Sequence, residues 1–198
     1  MDRLEKLIEL CRRSGDECVV REEDGKLILD VRRLTRVGDM FRSVYRGMAR
    51  SSWGMDEDGS TSWLFVDLPR FLRAFPEARR VALEERDGEV CAVFELSPRV
   101  VLQACWERKY GKGRVVEHSI ELSPVVKKRI ERLRKAGITP FFEIKEWIDN
   151  YSFNDGASLT VGAYRRVLRK TDSGEYWVGE YVDITPDMRL AAETPLFE

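Results

Sequence analysis

Arg42, Arg46 and Arg50 recur at every fourth position, the spacing that lines one face of a helix. Arg32, Arg33 and Arg36 precede them, and Asp30 and Asp39 are the only acids between positions 30 and 50. A guanidinium stripe of this kind suits phosphate, and Trp53 and Trp63 would add stacking surfaces for unpaired bases. The competing reading is a solvated helix face whose arginines pair with Asp56, Glu57 and Asp58. A second basic set runs through Lys127, Lys128, Arg129, Arg132, Arg134 and Lys135, and continues at Arg165, Arg166, Arg169 and Lys170. Arg42, Arg46, Arg50, Lys128, Arg132 and Arg166 are therefore the residues expected to bind an anionic partner, DNA or RNA.

Carboxylates carry the rival chemistry. Metal-dependent hydrolysis or nucleotidyl transfer needs acids clustered around divalent ions. Asp67 ends the apolar stretch Trp63–Asp67, where a strand end would present a ligand, and Val182-Asp183 lies far downstream. Glu143-Ile144-Lys145 matches the Glu-x-Lys piece of a nuclease motif, but the acids of this chain form no local cluster. Other chemistries lack their residues. His118 is the sole histidine and sits within an apolar alternation. No phosphate-loop or dinucleotide-binding glycine pattern occurs, and Gly156-Ala157-Ser158 lacks the following glycine of a nucleophile elbow. Cys11, Cys18, Cys91 and Cys105 form no close pair, so zinc is not expected, and each reads as a reduced thiol in the core. No cofactor is expected.

The elements that must hold these residues follow from pattern. Apolar spacing predicts helices over 2–14, 36–50, 69–75, 98–110, 124–136 and 140–151. Asp24-Gly25 and Asp87-Gly88 each mark a tight hairpin turn, joining 18–23 to 26–31 and 80–85 to 89–96. Strands are expected at 63–68 and 115–122, and a closing hairpin over 158–184 turns at Asp172-Ser173-Gly174. The small, acidic stretch 51–62 reads as a loop. The fold class is α+β, with mostly antiparallel hairpins alternating with helices. A boundary near Ser123-Pro124 would divide an α+β core, 1–122, from a module at 123–198, unless both belong to one domain. Helix, turn with Gly137, helix and hairpin is the order of a winged helix. Its would-be reading helix carries Glu143, Glu146 and Asp149 against Lys145, which opposes entry into a groove lined by phosphate.

Composition bounds the rest. With 198 residues, 43% hydrophobic, the chain can bury a sizeable core. Its 34 basic and 35 acidic residues nearly cancel, so electrostatic binding must come from local patches. Arginine dominates the bases, and one Gln and two Asn are present, a pattern of heat-adapted proteins or of a GC-rich genome. No stretch approaches the ~20 apolar residues of a membrane span. The first ten residues lack the apolar run of a signal peptide, so the cytoplasm is the default compartment. The expectation is a non-enzymatic binding module for nucleic acid or a protein in a nucleic-acid complex. The alternatives are a metal-dependent enzyme using Asp67, and a structural or oligomerising protein joined through Phe141, Trp147 and Trp177.

Overall fold

The computed structural model describes residues 2–32, 49–56, 59–107, 115–116, 118–149, 154–186 and 188. Helix α1 (Arg3–Arg13) begins in a capping box: Asp2 accepts from the Glu5 N–H at 2.7 Å, and Glu5 accepts from the Asp2 N–H at 2.9 Å. Strands β1 (Cys18–Glu23) and β2 (Lys26–Val31) follow as an antiparallel hairpin. At its turn Asp24 and Gly25 have φ of 49° and 74°; Asp87 and Gly88 have 48° and 81° between β5 (Arg80–Arg86) and β6 (Glu89–Ser97). Left-handed backbone at both central positions matches the twist of the flanking strands, and Asp-Gly tolerates it.

Three segments differ from the sequence expectation, and a fourth lies mostly outside the described residues. The predicted loop at 51–62 lies within an antiparallel pair, β3 (Ala49–Asp56) and β4 (Gly59–Asp67). Of the helix predicted over 36–50, residues 36–48 lie outside the described residues, and Ala49 and Arg50 are strand. The helix predicted from Pro98 is strand β7 (Val100–Glu107), inserted between β2, parallel to it, and β6. Its β-branched, continuously apolar start suits a strand buried on both faces. The helix predicted over 140–151 is strand β10 (Thr139–Asp149), in which Phe142 and Ile144 are buried while Lys145 is exposed. A period of two thus wins over a period near four. The segment after Gly137 is therefore strand through Asp149, and the helix-turn-helix order expected at 124–151 is not met.

The remaining elements are α2 (Leu68–Ala74), β8 (Val115–Val116), β9 (His118–Glu121), α3 (Pro124–Lys135), β11 (Asn154–Thr171) and β12 (Gly174–Asp183). One sheet has the order β1-β2-β7-β6-β5-β9, and a second has β12-β11-β10-β4-β3, with β8 added to β11. Strands from both sides of residue 123 share the second sheet. Only β2–β7 and β8–β11 are parallel among the described pairs. The α+β class with largely antiparallel sheets holds. One hydrophobic cluster spans both sheets and all three helices, taking in Leu7, Phe71, Phe94, Val126 and Phe142. Ile28, Ala82, Cys91, Val93 and Val101 are buried on the opposite face of the first sheet, so its centre is covered on both sides. No helix of the described residues is long and apolar enough to cross a membrane.

The cysteines are paired, contrary to the expectation of free thiols. Cys11 at the end of α1 is bonded to Cys18 at the start of β1, and Cys91 is bonded to Cys105, its register partner across β6–β7. Separations of 7 and 14 residues concealed both pairings, because only folding places the partners together.

Candidate nucleic-acid interface

Helix α3 starts where Ser123 caps it, the Ser123 Oγ accepting from the Val126 N–H at 3.3 Å, with Pro124 in the first turn. Val126 and Ile130 turn into the core. That fixes the opposite face outward, and Lys128, Arg132 and Lys135 lie along it, exposed and one turn apart. The helix holds six bases and one acid, Glu131. Arg134 occupies that acid, donating from Nη2 at 2.6 Å and Nε at 3.1 Å. The hydrogen bond from Arg134 holds the Glu131 carboxyl below its usual range. The neighbouring helix α2 adds Arg70 and Arg73 and no acid.

At the N-terminal end of α3, Lys127 donates from Nζ to the Pro76 carbonyl at 2.8 Å. Burial lowers its pKa first, and the positive charge of Arg79 lowers it further. Arg79, Ser123 and Lys127 line a cleft of about 450 Å³ there. Glu77 and Glu121 line the same cleft, so the unbalanced positive charge lies on the exposed bases of α3 beyond it.

Of the residues singled out in the sequence, Lys128 and Arg132 are brought together on this helix. Arg166 lies in β11 opposite Gly179 of β12. Arg50 lies in β3, in a register row through Phe65, Glu143 and Thr160. Glu143 and Thr160 of that row alternate with Phe142 and Ile144, which pack with α3 in the core. The predicted helical stripe therefore does not include Arg50, and Arg42 and Arg46 lie outside the described residues. Lys135 completes a spacing of four and three already present in the sequence. Arg73 joins through the packing of α2 on α3, for which the sequence holds no local signal.

Among the described residues no cluster of three carboxylates forms around Asp67. Asp67 caps α2, its Oδ1 accepting from the Arg70 N–H at 3.0 Å. Its register partner Phe141 lies on the outer face of the second sheet, whereas Glu146 lies on the core face, five residues further along β10. The one group of three potential ligands among the described residues is Glu89, Cys91 and Cys105, whose sulfurs are already bonded to each other. Elsewhere acids serve arginines: Arg80 reaches Glu84 at 2.5 Å, Glu95 at 3.4 Å and Glu121 at 3.6 Å.

Glu146 is a stability element of opposite sign. Burial raises its pKa first, and the charge of Asp155 raises it further. The folded state then holds a proton that the unfolded chain releases, so stability falls as pH rises from about 4.5, the ordinary value of a glutamate, through the raised pKa. Glu146→Gln is expected to flatten this fall and to raise the melting temperature at neutral pH. A series of melts from acid to neutral pH on both proteins checks it; parallel curves would remove Glu146 as the cause.

Comparison with protein-family models, with curated proteins and with solved structures finds no match to this chain.

Proposed function

We propose that the protein is a non-enzymatic module that binds nucleic acid through the exposed face of α3, contacting phosphates without reading base sequence. The observation that carries this reading is the imbalance of six bases to one neutralised acid on one helix, in a chain whose formal net charge is -1. Long cations one turn apart follow a phosphate backbone, and release of counterions supplies most of the binding free energy. Arg73 of α2 widens the face. Lys128 and Arg132 lie at its centre, with Lys135 at the C-terminal end.

Fluorescence anisotropy with labelled single-stranded and duplex DNA and RNA at about 50 mM salt tests the reading. The full chain is expected to bind, with affinity falling steeply as salt rises. Lys128→Gln, Arg132→Gln and Lys135→Gln combined are expected to weaken binding at least about tenfold and to lower the log–log salt slope by about 2–3, close to one for each phosphate contact removed. All three side chains are exposed, so the fold should survive the change. Absence of binding at low salt, or a triple variant that binds as the parent does, would overturn the reading.

A further inference from the structure

The hairpin of β11 and β12 outruns the sheet that carries it. Strand β10 ends its pairing at Thr139 with Tyr164, while β11 and β12 stay paired to Thr171 and Gly174. Seven residues of β11 beyond Tyr164 therefore form a two-stranded ribbon roughly 23 Å long, at ~3.3 Å per residue. A ribbon of two strands is marginal alone in water. The ribbon and its base together hold every large hydrophobic side chain that is exposed among the described residues: Leu168, Tyr176 and Trp177 in the ribbon, and Tyr164, Tyr181 and Val182 at its base.

Register sorts them. Tyr164 faces Tyr181 and Leu168 faces Trp177, all on the outer face of the second sheet, with Lys170 and Glu175 beyond them. Phe141 continues the row at the base, stacking on Tyr164 at 5.1 Å between ring centroids, and Tyr181 lies 6.1 Å from Tyr164. Gly162 makes room for this: a Cβ there would run into Tyr181 and Phe141. Aromatic side chains with arginine, and few lysines, are what protein interfaces concentrate at their centres.

Charge then chooses the partner. From Tyr164 to Thr171, β11 carries Arg165, Arg166, Arg169 and Lys170 and no acid, while β12 carries Glu175, Glu180 and Asp183 and no base. The ribbon is split along its length into a basic and an acidic strand, with Lys170 opposite Glu175 in the register. Such a split complements itself, because the basic strand of one copy can lie over the acidic strand of another. A two-fold axis running along the ribbon lays β11 of one copy over β12 of the other. Leu168 then meets Trp177, Tyr164 meets Tyr181, and Lys170 meets Glu175 of the other copy. An axis across the ribbon would lay the basic strands on each other and is disfavoured. We infer that the outer face of this ribbon is the contact of a homodimer, formed by two copies of this chain stacked face to face with their ribbons parallel. An interface of this kind is isologous, as closed dimers require.

Sedimentation velocity on the full chain, with circular dichroism to confirm folding, reads the outcome. The parent is expected to be a dimer, and Trp177→Lys a folded monomer, since Trp177 is 60% exposed and the core does not use it. Lys170→Glu alone and Glu175→Lys alone should each weaken self-association, because each puts like charges across the axis. Mixed together, the two variants should associate with each other more tightly than either does with itself, an effect that the ion pair within one chain cannot produce. A parent that stays monomeric up to about 100 µM, where a standard-sized interface would be filled, overturns the inference. So does a dimer that Trp177→Lys leaves intact, or a mixture without preference. A monomer whose Trp177 fluorescence is already that of a buried indole also overturns it, and would mean that the chain covers its own ribbon.

Discussion

Phe71→Ala is expected to destabilise the protein by about 3–5 kcal/mol, the range for removing a large aromatic side chain from a packed interior. Phe71 is fully buried in α2. Its ring centroid lies 5.4 Å from Phe75, 6.1 Å from Phe94 and 6.2 Å from Phe142. Phe94 belongs to the first sheet and Phe142 to the second, so the ring is the joint between them. Its neighbours are anchored in different elements and cannot collapse into the space together, which puts the cost toward the upper end. For a chain of this length the loss corresponds to a fall in melting temperature of roughly 10–15 °C. Phe71→Leu keeps much of the volume and is expected to lose about half as much or less. Denaturant titration of both variants measures this; a loss below about 1 kcal/mol for Phe71→Ala would mean that the two sheets do not depend on this contact.

Reduction of the disulfides is the second large effect. Each bond restricts the unfolded chain, and loops of 7 and 14 residues are worth about 2–3 kcal/mol apiece by chain entropy. Breaking both should remove about 5 kcal/mol, a large share of the stability of an ordinary domain. Cys11, Cys18 and Cys91 are almost wholly buried, so a reductant should act slowly on the folded protein and quickly in denaturant. Thiol titration of the unfolded, unreduced protein should find none of the four cysteines free. Four titratable thiols, or equal stability with and without reductant, would sink the prediction. Disulfides persist in oxidising compartments and inside heat-adapted cells. The cytoplasmic expectation, drawn from the lack of a signal-peptide run and of a membrane span, fits these bonds best in the second case.

What could be read in the sequence was what local chemistry decides. Asp2, Ser123 and the prolines Pro69 and Pro124 mark helix starts, and Asp24-Gly25 and Asp87-Gly88 mark turns, because each satisfies its own backbone within a few residues. The segment Phe141–Ile148 met two templates at once: its apolar residues fit a helix face, yet Phe142 and Ile144 alternate with Glu143 and Lys145. Pairing with β4 on one side and β11 on the other decided for strand. Val100–Leu102 showed no periodicity, since both faces of β7 are buried at its start. The site was legible by halves. The basic spacing on α3 could be read directly, and Trp177 could be read as a candidate contact residue, whereas the extent of the exposed ribbon could not, because only the pairing shows that β10 ends level with Tyr164 while β11 and β12 run on.

The parallel seam between β2 and β7 shapes how the chain reaches this structure. Leu27 pairs with Val100, and everything from β3 to β6 is strung between them. The hairpins on either side can zip within microseconds of being made, guided by their own turns. The seam must wait for a long loop to close, and long-range pairing of this kind governs the speed of folding. A nascent chain would carry β2 with one open edge until β7 leaves the ribosome, and an open apolar strand edge is where chains pair wrongly with one another. The Cys11–Cys18 bond, lying wholly upstream of that seam, can form early and hold α1 against β1 while the edge stands uncovered.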